Sequence, residues 1–130
     1  MAIEVMVQLE DKPGQLARLG EVLGKAKVNI LALHGHTDCG HGTVRFIPSD
    51  PDNAQKALTA ASFDYQLREV LLVHLLDEPG KLGEVAGVMA HAGINIDSVY
   101  VTTGGIVVFG VDDLPGAMEV AGGMAVMRIR

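Results

Sequence analysis

Asp11-Lys12-Pro13-Gly14-Gln15-Leu16 returns 66 residues later as Asp77-Glu78-Pro79-Gly80-Lys81-Leu82, and Val28-Asn29-Ile30 returns at the same offset as Ile94-Asn95-Ile96. Across 11–30 and 77–96, eight of twenty positions are identical. The differences keep their character: Leu19 is matched by Val85, Leu23 by Met89 and Val28 by Ile94. Phe46 and Asp50 match Phe109 and Asp113 at an offset of 63, so the second copy is three residues shorter between its central strands. The chain is therefore read as two copies of one small unit, 1–69 and 70–130.

Each copy carries the same order of elements. Residues 3–9 alternate apolar and polar side chains as a half-buried strand does, and 70–76 is a more apolar counterpart. Pro-Gly ends the strand. Leu16, Leu19, Leu23 and Ala26 then fall at helical spacing over 15–26, and Leu82, Val85, Met89 and Ala92 repeat the stripe. Residues 28–33 and 94–101 predict second strands, 43–47 and 106–111 third strands, with Thr102-Thr103-Gly104-Gly105 as a hairpin turn. Short second helices are predicted at 51–61 and 115–122, each opened by Pro51 or Pro115 after an acidic residue able to cap it. Final strands are predicted at 65–70 and 125–129, the first running almost unbroken into the second unit because 66–69 contains no Gly, Pro or Ser. Strand-helix-strand-strand-helix-strand is the ferredoxin-like βαββαβ plan of the α+β class, with helices on one face of an antiparallel sheet. A unit of this size buries only about 60% of its unfolded surface, so the two are expected to pack side by side.

Composition narrows the function. The 130 residues are 48% hydrophobic and 20% charged, too apolar for disorder, yet contain no Trp, two Tyr and three Phe, so the core is aliphatic. Ten basic against sixteen acidic side chains give a net charge of −6 without a basic stripe, which disfavours nucleic acid. No apolar stretch approaches the ~20 residues of a membrane helix and the N-terminus does not read as a signal peptide, so a soluble cytoplasmic protein is expected. The single cysteine, Cys39, excludes an internal disulfide.

Two features bear on chemistry. A strand ending in Asp, then Pro-Gly, then a helix leaves backbone N–H groups at the helix start, and glycine lets a carboxylate reach them. The competing reading is that Asp11 and Asp77 cap the helices while Pro-Gly simply turns the chain. Asn29 and Asn95 carry amides that both donate and accept, as an ammonium plus a carboxylate requires, although an Asn there also reads as a turn residue tolerating left-handed backbone.

With these residues in hand, Asp-x-Pro-Gly-x-Leu followed about fifteen positions later by Val/Ile-Asn-Ile resembles the ACT domain, a family of ferredoxin-like regulatory modules that bind amino acids. The resemblance covers nearly the whole chain as two tandem copies. It implies a ligand held where two modules pack together, by the loop before the first helix and the start of the second strand. By position this points to Asp11, Pro13, Gly14, Gln15, Asn29 and Ile30, and to Asp77, Pro79, Gly80, Lys81, Asn95 and Ile96. It further implies a free amino acid as partner, a homodimer or higher homo-oligomer, a regulated enzyme or other protein, no cofactor and no catalysis. The glycine-rich end at 116–123 departs from the family pattern.

A rival cluster is His34, His36, Asp38, Cys39 and His41. His34 and His36, two apart on a strand, share a face, and with His41 they make an alternative metal or pH-sensing site. Against it, Gly35, Gly40 and Gly42 read as a flexible, solvated hairpin. A structural oligomerisation module using an open sheet face is a further alternative. Gly20 to Lys25 is one residue short of a phosphate loop, and neither Gly-x-Ser-x-Gly nor His-Glu-x-x-His occurs.

Overall fold

The computed structural model describes residues 2–122. It divides into two compact units, one over Ile3–Arg68 and one from Glu69 onward. The first is built from β1 (Ala2–Glu10), α1 (Gln15–Lys25), β2 (Ile30–Asp38), β3 (His41–Pro48) and α2 (Pro51–Ala60), and β4 (Tyr65–His74) carries the chain across the boundary. The second continues with α3 (Lys81–His91), β5 (Ile96–Val101), a 3-10 turn at Thr103–Gly105, β6 (Ile106–Val111) and α4 (Leu114–Ala121). The fold is α+β, a pair of ferredoxin-like units with six antiparallel strands and four helices among the described residues. The final strand expected at 125–129 lies outside the described residues.

In unit one the strand order is β2-β3-β1-β4, with β3 antiparallel to both its neighbours, Val7 opposite Val44 and Leu33 opposite Phe46. Val5, Val7 and Leu9 point to one face, where they meet Leu19 and Leu23 of α1 and Ala54 and Leu58 of α2, so both helices cover the same side. Arg18 fastens the two helices, its guanidinium donating to the Ala61 carbonyl at the end of α2 while lying 4.3 Å from the centre of the Phe63 ring. Unit two repeats the layering in the order β4-β6-β5, with Leu71, Val73, Phe109 and Val111 against Val85, Met89, Ala117 and Ala121.

Helices α2 and α4 start on side-chain caps: Asp50 Oδ1 accepts from the Asn53 N–H at 3.1 Å and Asp113 Oδ1 from the Gly116 N–H at 3.0 Å. Asp50→Ala is expected to lower stability by about 1 kcal/mol, read as a shift in the urea midpoint. An unchanged midpoint would show the cap to be idle.

One expectation needs correcting. Strand β2 extends to Asp38 and β3 begins at His41, so the hairpin is paired to its tip instead of being a loose glycine loop. Cys39 (φ 51°) and Gly40 (φ 81°) form its two-residue turn, both in the left-handed region that tight hairpins demand. In β4, Val70 and Leu72 are as fully buried as Leu71 and Val73.

Candidate functional site

The loop before α1 turns on a short bond from the Lys12 N–H to the Glu10 carbonyl, 2.9 Å, and α1 then starts at Gly14 with φ 92°. Unit two repeats it, Glu78 N–H to Leu76 carbonyl at 2.8 Å and Gly80 at φ 90°. A side chain at that φ is strained by about 1–2 kcal/mol, which accounts for glycine at both positions. Neither helix start has a side-chain cap, so Asp11 and Asp77 do not play the capping role open to them on sequence.

What the uncapped loop borders in unit one is a groove of about 470 Å³ between α1 and the β2–β3 hairpin. Leu9 and Val44 lie at its base, Gln15 and Leu16 form the helix side and Leu33, Gly35 and Thr37 the strand side. Glu10, Asp11, Lys12 and His36 stand at the rim. The walls are mostly apolar and the rim carries both signs of charge. Lys12 Nζ lies 2.9 Å from Glu10 Oε2, and this hydrogen bond together with the lysine charge holds the Glu10 carboxyl below its ordinary range.

Of the residues expected at a site, Asp11 and Gln15 therefore border the groove, while Pro13 and Gly14 shape its loop. In unit two Asp77, Pro79 and Gly80 occupy the related loop. Lys81 there is drawn along the helix to Glu84, at 3.5 Å.

Asn29 and Asn95 lie elsewhere. The Asn29 N–H donates to Ser49 Oγ at 2.8 Å and its carbonyl accepts from the Ser49 N–H at 2.8 Å. Asn95 forms the same reciprocal pair with Asp112, at 2.9 Å to Oδ1 and 3.1 Å from the Asp112 N–H. Each pair ties the start of a second strand to the end of a third. Neither Asn takes positive φ; Lys27 (φ 59°) and Gly93 (φ 73°) do so instead, two residues earlier. In unit one the loop adjoins the Asp38–His41 end of the hairpin, since Glu10 pairs with His41, whereas Asn29 and Ile30 lie at the Pro48 end. Nine strand residues separate the two ends, roughly 26 Å. Asn95 and Ile96 are likewise at the far end of β5 from the 77–81 loop. No single unit brings loop and Asn onto one small ligand.

The histidine cluster is only partly assembled. The His34 and His36 rings share a face with centroids 5.6 Å apart, and both are exposed, as is Cys39. Among the described residues no three His, Cys, Asp or Glu side chains converge to hold a metal ion, so His41 does not complete a site with them. Sequence reasoning missed Leu33, Gly35, Gly42 and Val44 as groove residues. The signal was there in the alternation of β2, which puts Leu33, Gly35 and Thr37 on one face.

The family model describing an ACT domain pair matches residues 1–124. A protein of Bacteroides thetaiotaomicron of known crystal structure is 30% identical and superposes with a TM-score of 0.88, over 96% of this chain and 89% of that one. The ligand-free regulatory subunit of aspartate kinase from Thermus thermophilus shares the fold at 17% identity and a TM-score of 0.66, over 94% and 91% of the two chains. The corresponding subunit from Thermus flavus gives 16% and 0.65. Among curated protein sequences none matches. Doubled loop, shared layering and family match together make this chain a member of the ACT domain family, as a pair of ACT domains.

Proposed function

We propose that the protein is a regulatory module that senses a free amino acid and has no catalysis of its own. The observation that carries this reading is the unit-one groove: apolar walls for a side chain, and a rim where Lys12 and the uncapped start of α1 suit a carboxylate while Glu10 and Asp11 suit an ammonium. Its volume falls within the range of small-molecule sites. Gln15 supplies an amide at the same rim. In this reading Asn29 and Ile30, and Asn95 and Ile96, act from a second copy of the chain, because they stand too far from the loop of their own unit. Ligand binding then couples to homo-oligomerisation and, through it, to a regulated protein.

A thermal-shift screen over the twenty amino acids tests the reading. At a hundred times its dissociation constant a ligand stabilises the fold by ~2.7 kcal/mol, a shift of several degrees for a chain this size. Mass measurement with and without the responding amino acid reads the coupled assembly. No shift with any amino acid up to tens of millimolar refutes the proposal.

A further inference from the structure

Resting on the amino-acid reading above, we propose that each chain binds one amino acid, with an apolar side chain, because unit one has a glycine in its groove where unit two has a valine. The strand ladders establish which residues correspond. Gly35 pairs with Val44 and Leu33 with Phe46; in unit two Val101 pairs with Val107 and Val99 with Phe109. Val101 thus stands where unit one has Gly35.

The missing side chain is what leaves the groove open. A Cβ built at Gly35 would lie 3.6 Å from Val44 Cγ2, at ordinary contact distance and inside the groove that Val44 lines. The backbone tolerates a larger residue, since Gly35 does not have positive φ. Valine there would fit the strand yet occupy the space intended for a ligand. In unit two the corresponding residue is a valine, 72% exposed and outside the core cluster of its unit.

The chemistry of the side chain follows from the walls. Leu16 and Leu33 flank the groove and are 56% and 42% exposed, apolar surface that an apolar ligand would take out of water. The charged lining residues Glu10, Asp11 and Lys12 are consecutive at the loop end, where the ligand's own ammonium and carboxylate are placed, so a charged side chain lying along Leu16, Leu33 and Val44 would lose hydration without gaining a partner. A zwitterion with an aliphatic, thioether or aromatic side chain matches both parts.

Isothermal titration of the full chain with L-leucine, L-isoleucine, L-methionine and L-phenylalanine, set against L-aspartate and L-lysine, is the test. An apolar member is expected to bind at one per chain. Gly35→Val is expected to weaken it at least tenfold with an unchanged far-UV circular dichroism spectrum, and Val101→Ala to leave that affinity as it was. Gly35→Ala reads the same effect at smaller size if valine perturbs the strand. Two molecules per chain, tighter binding of aspartate or lysine, or full affinity in both Gly35 variants would overturn the inference while leaving amino-acid sensing intact. Absence of heat with every amino acid would instead remove the sensing reading on which it rests.

Discussion

Phe46→Ala is expected to destabilise unit one by about 3–5 kcal/mol, the cost of deleting a fully buried phenyl ring and leaving its cavity. Phe46 is fully buried and belongs to the cluster formed by β1, β3 and both helices of its unit. With no Trp and few aromatic residues to share the load, aliphatic neighbours that carry fixed rotamers cannot close a cavity of that size. A small domain has about 5–15 kcal/mol in total, so a loss on this scale leaves unit one close to unfolding at room temperature. Phe109, its counterpart in unit two, is also fully buried and is expected to behave alike. Urea unfolding followed by far-UV circular dichroism measures both. Losses below 1 kcal/mol would mean that the two rings are peripheral to their cores.

Gly105→Ala should cost roughly 2–4 kcal/mol, and Gly104→Ala no more than about 1–2. Both glycines have φ 77°, so both variants incur the left-handed penalty. They differ in what the new methyl meets. At Gly104 it meets nothing within 4 Å, whereas at Gly105 it would lie 2.8 Å from the Leu75 carbonyl oxygen, a backbone atom with little room to yield. The same two residues are joined by the 2.8 Å bond from the Leu75 N–H to the Gly105 carbonyl, which closes the loop before α3 against the β5–β6 turn. Relieving the clash breaks that bond. Equal midpoints for the two variants in urea would show that the close approach carries no energetic weight.

Much of the fold was legible because the chain states it twice. Pro-Gly after an acidic residue, the Leu16–Leu19–Leu23 stripe and the capping Asp50 are local signals, and their recurrence at offsets of 66 and 63 removed the ambiguity that any one of them carries alone. Strand ends were less legible. His34, Gly35, His36, Thr37 and Asp38 have no strand-like composition, yet they are strand because β3 offers a ladder opposite them. Pairing is a property of two segments, and propensity is read from one.

The site divides along the same line. Glycine at 14 and 80 was dictated by a local backbone conformation, so the doubled loop could be found without coordinates. That Asp11 leaves its helix uncapped, that Asn29 engages Ser49 at the opposite end of the sheet, and that Gly35 lines a groove beside Gln15 depend on which strand lies next to which. The 66-residue repeat was sufficient to specify the architecture, since hydrophobic periodicity and turn chemistry act over a few neighbouring residues. Only the tertiary fold decided what stands beside Gly35, because Leu9, Gln15 and Val44, which line the groove with it, are distant in sequence.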